Sequence, residues 1–262
     1  MTVAIDLTGH RALVTGAGQN VGRGIARMLA AAGAEVLVND LIEERTQNVV
    51  AEIDSDGGRA VSVPFDVTDY DAVKAAIDAA GPVDVLVNNA GNAGAPNLIG
   101  SFDTAYFVDT SPDTWDRYVR INYYGVLNCV HAALPGMIDG AWGRIVTLIS
   151  DAARAGDTRT AVYGGAKAAA AGFMRAIARE VGRHNITANC ISLATMNNTP
   201  PDAPPPSEQE NEMMAKVMKQ YIVRRRGEPA DVAAMVCFLA SDLSSWITGQ
   251  TYPVNGGYTL SL

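Results

Sequence analysis

The stretch Arg11-Ala12-Leu13-Val14-Thr15-Gly16-Ala17-Gly18-Gln19-Asn20-Val21-Gly22 begins as a short apolar run, passes through three glycines and leads into a helical pattern that continues through Leu29 to Ala32. This is the order strand, glycine loop, helix. Glycines let the backbone turn tightly and approach a pyrophosphate, whose charge is stabilised by the unpaired amides and positive dipole end of the following helix. The spacing is Gly-x-Gly-x-x-x-Gly rather than the Gly-x-Gly-x-x-Gly of the general dinucleotide fingerprint, so the loop has to be weighed with the rest of the chain.

A second strand, Glu35-Val36-Leu37-Val38-Asn39, ends at Asp40. That distance suits a carboxylate meeting the adenosine ribose, where it accepts from both hydroxyls of NAD and repels the 2′-phosphate of NADP. No Arg or Lys stands between Thr15 and Arg23 or next to Asp40, so the reading favours NAD. Asp40 also reads as an acidic helix cap, with Glu43 and Glu44 following it.

Further along, apolar runs near 11–15, 35–39, 60–65, 83–88, 143–149, 186–191 and 251–254 alternate with helical patterns. Such alternation predicts an α/β fold: a Rossmann-type, doubly wound parallel sheet of about seven strands with helices on both faces. Length alone allows one domain or two; the unbroken alternation favours a single domain over residues 1–262.

Ser150, Tyr163 and Lys167 carry the candidate chemistry. Tyr163 and Lys167 stand four apart in a stretch, Ala161–Val181, that is rich in Ala, lacks Pro and repeats apolar residues at Ala166, Ala169, Phe173, Ile177 and Val181. It predicts a helix on which both side chains share a face. A phenol titrates at about 10, and a nearby ammonium lowers that value. An oxidised nicotinamide ring would lower it further, towards the pH at which general acid/base work is efficient. Ser150 follows the strand-like run Arg144-Ile145-Val146-Thr147-Leu148-Ile149, and its hydroxyl is placed to donate to a carbonyl oxygen that gains charge. Taken alone, the Tyr/Lys pair also reads as two snorkelling side chains on a solvated face.

Together with Asp66-Val67-Thr68, Asn88-Asn89-Ala90-Gly91, Asn122, Tyr163-Gly164-Gly165-Ala166-Lys167 and Asn255-Gly256-Gly257, these segments resemble the short-chain dehydrogenase/reductase family over nearly the whole chain. The resemblance implies Tyr163 as acid/base, Ser150 as carbonyl-oxygen donor, Lys167 as tuner of Tyr163 and ribose ligand, and Asn122 as anchor of a water relay. It further implies that Gly16, Gln19, Asn20, Val21 and Gly22 form the phosphate loop and that Asp66 and Val67 face the adenine. Asn89, Ala90 and Gly91 would line the back of the cofactor cleft, and Met196 would receive the nicotinamide amide. Two departures stand out. Asn20 replaces the loop's middle glycine, an exchange suited to a residue that visits positive φ. Leu193-Ala194 replaces the Pro-Gly pair expected after the sixth strand, so the backbone at the nicotinamide is expected to differ. Family members using NADP mostly carry a basic residue where Gln19 stands, which agrees with NAD.

The expected activity is therefore an NAD-dependent interconversion of a secondary alcohol and a ketone on a small, mostly apolar substrate. The alternatives are a dinucleotide-binding regulatory module that has lost the chemistry, and a reductase of carrier-tethered 3-oxoacyl groups. Carriers are acidic, yet the segment expected to dock one reads Gly136-Met137-Ile138-Asp139-Gly140-Ala141, and the net charge is −8. Residues 92–114 are expected to border the pocket and residues 195–221 to form a substrate lid. Leu98, Ile99, Phe102, Tyr106 and Phe107, with Met213, Met214 and Met218, either line that pocket or pack these segments onto the domain.

The acidic balance excludes a nucleic-acid footprint, and Arg224-Arg225-Arg226 reads as a solvated turn before a helix at Pro229. Three scattered cysteines, Cys129, Cys190 and Cys237, read as buried thiols of a reducing compartment. The histidines are scattered, so neither a metal site nor a Ser-His-Asp triad is expected. With no leader-like start and no bilayer-length apolar run, the expectation is a cytoplasmic protein without membrane contact. The resemblance implies a homo-oligomer, dimer or tetramer, built through the Asn122 and Tyr163 helices, where Ala168, Ala169, Ala170, Ala171 and Gly172 permit close approach or simply pack within one chain.

Overall fold

A computed structural model describes residues 4–91, 105–199 and 204–260. Its sheet is parallel throughout, with β1 (Arg11–Val14), β2 (Glu35–Val38), β3 (Arg59–Ser62), β4 (Val85–Asn88), β5 (Gly143–Ser150), β6 (Ile186–Leu193) and β7 (Thr251–Val254) in the order β3-β2-β1-β4-β5-β6-β7. The helices are α1 (Asn20–Ala31), α2 (Glu43–Ser55), α3 (Tyr70–Ala80), α4 (Pro112–Val119), α5 (Gly125–Asp139), α6 (Ala161–Val181), α7 (Glu208–Met218) and α8 (Pro229–Ala240).

Strand side chains alternate between two layers because successive residues point to opposite faces. Ala12 and Val14 of β1 join Ile25 and Leu29 of α1 and Val232 and Val236 of α8 in one core. Leu13, between them, enters the other core with Val126 and Val130 of α5 and Met174 and Ile177 of α6. Leu13 is fully buried, which favours the fold by about 1.5–3 kcal/mol. Both faces of the sheet are thus covered, as the sequence predicts.

The strands differ in reach. The last β4–β5 pair is Asn88 with Thr147, whereas β5 runs on beside β6 until Ser150 meets Leu193. At about 3.3 Å per residue, β5 therefore overshoots β4 by roughly 10 Å. The order reverses at β1/β4, and such a switch point opens a crevice at the carboxyl ends of the strands. Ser150 stands at the raised wall of that crevice.

Candidate active site

On the β1 side the crevice is made of backbone. Thr15 Oγ accepts from the amides of Asn89 and Ala90 at 3.0 Å each. Asn89 Nδ2 donates to the carbonyl oxygens of Thr15 and Gly16 at 2.9 and 3.0 Å, so this side chain holds the glycine loop against the end of β4. Gly22 permits the loop to close on α1, since a β-carbon there would lie 2.2 Å from Gly16 O. Asn20 adopts φ 48°, the left-handed conformation expected of it. The N-terminus of α1 carries no acidic residue in its first turn and no side-chain cap at Gln19. This leaves amides and dipole for an anion, so the cradle fits a pyrophosphate.

Asp40 is buried; Oδ2 accepts from Gly18 N at 3.2 Å and Oδ1 from Ile42 N at 3.1 Å. The sequence reading that no cation lies near Asp40 needs correction. Arg45 Nη1 stands 3.9 Å from Asp40 Oδ1, because the first turn of α2 folds back over the loop, and a β-carbon at Gly18 would lie 2.6 Å from that of Arg45. A five-residue separation across a strand-to-helix turn conceals this neighbour in the sequence.

Asp66 is exposed and accepts from Thr68 N. Val67 is buried beside Thr15, Ala90 and Gly125, and its carbonyl oxygen accepts from Asn128 Nδ2 at 2.9 Å. Met196 lies opposite Gly227, in a bridge made by the Asn197 amide to Gly227 O and the Gly227 amide to Thr195 O. The bridge uses the neighbours and spares Met196's own amide and carbonyl.

On the β5 side the site is made of side chains. Tyr163 and Lys167 lie on α6, whose bounds match the predicted helix. Lys167 is buried, Nζ donates to Leu148 O at 2.9 Å, and burial pulls its ammonium down to about 8. Asn122 is fully buried, with Nδ2 donating to Tyr118 O at 3.0 Å. A π turn, Arg120–Tyr124, joins α4 to α5 around it; such a widened turn is frequent at functional sites. Gly91 is where these groups meet, for a β-carbon there would lie 2.8 Å from Asn122 Oδ1 and 3.0 Å from Lys167 Nζ.

The Ser150 hydroxyl stands near enough to Tyr163 to act on its phenol, and Ser150 Oγ accepts from Ala152 N at 3.2 Å. The structure does not show the expected lowering of the phenol. Desolvation holds Tyr163 above the usual phenol range, the Ser150 hydroxyl offsets part of the rise, and the Asp157 charge adds to it. The ammonium meant to oppose burial is turned to the Leu148 carbonyl oxygen.

Of the proposed pocket segments, Leu98, Ile99 and Phe102 fall outside the described residues. Phe107 stacks on Trp115 at 5.2 Å and Arg159 covers the Tyr106 ring at 4.6 Å, so both aromatics pack on neighbours. In α7 Met218 is buried and Met213 exposed. The arginine run serves as a turn, with Arg225 paired to Asp231 at 2.6 Å in the first turn of α8. The three cysteines are buried and unpaired. Among the described residues no helix is long and apolar enough to cross a membrane.

Comparison with known proteins places this geometry among relatives. A family described as Enoyl-(Acyl carrier protein) reductase matches residues 16–259. The oxidoreductase UcpA of Salmonella typhimurium is 34% identical over 270 residues, covering 97% of this chain and 96% of its own. The fold superposes on a 3-oxoacyl-[acyl-carrier protein] reductase with bound NAD from Brucella melitensis with TM-score 0.87, at 32% identity over 98% of this chain and 94% of that one. A gluconate 5-dehydrogenase from Burkholderia cenocepacia, in complex with NADP and tartrate, gives TM-score 0.85 at 29% identity, covering 98% of each chain. With a doubly wound sheet, a glycine cradle at its switch point and full-length relatives of this kind, the chain belongs to the short-chain dehydrogenase/reductase family of oxidoreductases.

Proposed function

We propose that the protein interconverts a secondary alcohol and a ketone with NAD, using Tyr163 as acid/base. The observation that supports it most is the juxtaposition of Ser150 and Tyr163 at the overshooting end of β5, with Lys167 and Asn122 meeting at Gly91 beside the glycine cradle. The nicotinamide, when bound, exchanges hydride with the substrate carbon. The chain's own residues handle the proton. In oxidation Tyr163 takes it from the substrate hydroxyl while Ser150 orients the oxygen; in reduction Tyr163 returns it. Lys167, near 8, can pass a proton at working pH, and Asn122, which meets it at Gly91, would anchor the relay that carries the proton on. Gly16, Gln19, Asn20, Val21 and Gly22 would cradle the pyrophosphate, Asp40 the adenosine ribose, Val67 with Asp66 the adenine, Ala90 and Gly91 the cleft wall, and Met196 the carboxamide. Asp40 supports NAD, while Arg45 is a ready partner for a 2′-phosphate once Asp40 is removed.

Residues 92–114 and 195–221 are proposed as pocket border and lid over a small free substrate. The carrier-tethered alternative gains from the Brucella reductase's name, but exposed Asp139 leaves the docking segment acidic. A homo-oligomer is proposed through α6, where exposed Ala168 and half-buried Ala169 and Gly172 offer close approach; Ala170 and Ala171 are taken by the chain's own core.

The test adds NAD or NADP to the protein with a panel of secondary alcohols, then runs the reverse reaction on the ketones and a 3-oxoacyl thioester, following reduced-nicotinamide absorbance. Alcohol oxidation with NAD is expected. Silence across the panel with NAD bound would sink the oxidoreductase reading in favour of a regulatory module.

A further inference from the structure

Ser150 and Tyr163 flank residues 151–162, which run from a 3-10 turn, Asp151–Ala153, through a loop into the start of α6 and carry two carboxylates, Asp151 and Asp157. Both are held by the segment after β7. Asp151 is 1% exposed, and Oδ2 accepts from Asn255 Nδ2 at 2.6 Å and Thr259 Oγ1 at 2.7 Å. Oδ1 accepts from the Ser192 hydroxyl and from Arg154 Nη1 at 3.3 Å. Asp157 Oδ1 accepts from the Tyr258 hydroxyl at 2.9 Å. The Tyr258 ring stacks on Tyr221 at 5.0 Å and 26°, and Tyr221 donates to Thr195 Oγ1 at 2.8 Å. From Asp157 the chain of contacts continues into α6, since its carbonyl oxygen accepts from Thr160 Oγ1 at 2.8 Å and Thr160 O accepts from Gly164 N at 2.7 Å.

We propose that Tyr258 is a positioning residue, and that residues 255–259 clamp the start and the middle of the 151–162 segment and so set the approach of Ser150 to Tyr163. Its catalytic consequence rests on the oxidoreductase reading; the clamp itself does not. Catalytic groups must be held to a fraction of an ångström, and a loop between them does not do this unaided. An unpartnered buried carboxylate is costly, so Asp151 ties the end of β5 to the tail. At Asp157, midway to Tyr163, the grip depends on one hydroxyl. Burial, with help from Asp157, pushes the Tyr258 phenol up to about 12, so it remains a donor across the working range.

Tyr258→Phe keeps the stacked ring and deletes that hydroxyl. The expected result is a melting temperature within a few degrees of wild type and NAD affinity within about twofold. In the NAD-bound protein, amide hydrogen exchange over residues 151–160 should be about tenfold faster, and kcat about tenfold lower at unchanged KM for NAD, as for loss of one charge-assisted hydrogen bond. Asp157→Ala should reproduce both effects and Asp157→Asn, which keeps an acceptor for Tyr258, should restore most of each. Unchanged exchange in Tyr258→Phe overturns the clamp whether or not a substrate is known. Faster exchange in a protein inert towards every substrate upholds the clamp and sinks only the oxidoreductase reading. Faster exchange with undiminished kcat overturns the positioning role.

Discussion

The crevice has two walls built on opposite principles. Along β1 and β4 the strands are four residues long and the wall is backbone: amides, carbonyls and the room left where Gly22 has no side chain. Along β5 and β6 the strands are eight residues long and the wall is side chains, Ser150, Tyr163, Lys167 and the carboxylates behind them. A wall of backbone is generic and, on the proposed reading, would receive the part of a ligand that does not react. A wall of side chains is particular, and its chemistry depends on burial and partners drawn from distant parts of the chain.

The sharpest break between the walls is Tyr163→Phe. Deleting one hydroxyl from the side-chain wall should lower kcat by about 10²–10⁴ and leave NAD affinity, set at the other wall, nearly unchanged; steady-state kinetics with fluorescence titration checks both. Wild-type turnover would remove Tyr163 from its proposed role. Because desolvation holds this phenol high, its base form grows with pH. Oxidation should therefore accelerate between pH 7 and 9, by up to about tenfold per unit, while reduction, which starts from the protonated phenol, stays nearly level. A flat oxidation profile would contradict a phenol that begins the cycle protonated.

The complementary break is at the backbone wall. In Gly22→Ala the new β-carbon would meet Gly16 O at 2.2 Å and Asn89 Nδ2 at 2.5 Å, so the loop must shift. NAD affinity should fall by about tenfold to a hundredfold, as expected for disrupted contacts to a charged group, with no change in the Ser150–Tyr163 pairing by structure determination. Undisturbed affinity would mean the cradle is not the cofactor site.

The smallest effect concerns which dinucleotide the backbone wall accepts. Asp40→Ala should weaken NAD and strengthen NADP by about tenfold, and adding Arg45→Ala should cancel the NADP gain, since an Arg–phosphate pair is among the stronger charge-assisted contacts. Equal losses for both dinucleotides in the single variant would point to collapse of the loop.

Much of the fold was legible because strand alternation and helical period are local properties. The helix Ala161–Val181, the glycine loop and all seven strands fall where the periodicity puts them, to within a few residues. The site was less evenly legible. Tyr163 and Lys167 share a helix, so spacing alone puts them together. Asn122 depends on a π turn that the sequence does not announce, and Arg45 reaches Asp40 only because α2 turns back over the loop. Asn255 was visible as part of a Gly-Gly motif, but its carboxylate partner Asp151 is 104 residues away.

By itself, then, the sequence determined the α/β alternation, the strand–glycine loop–helix opening and the Tyr163/Lys167 spacing, because each is written within a few turns of chain. Only the tertiary structure decided that β5 outreaches β4, that Lys167 is desolvated against Leu148 and that the tail grips Asp151 and Asp157. Those depend on strand register and burial, which arise when segments far apart in the chain exclude water from one another.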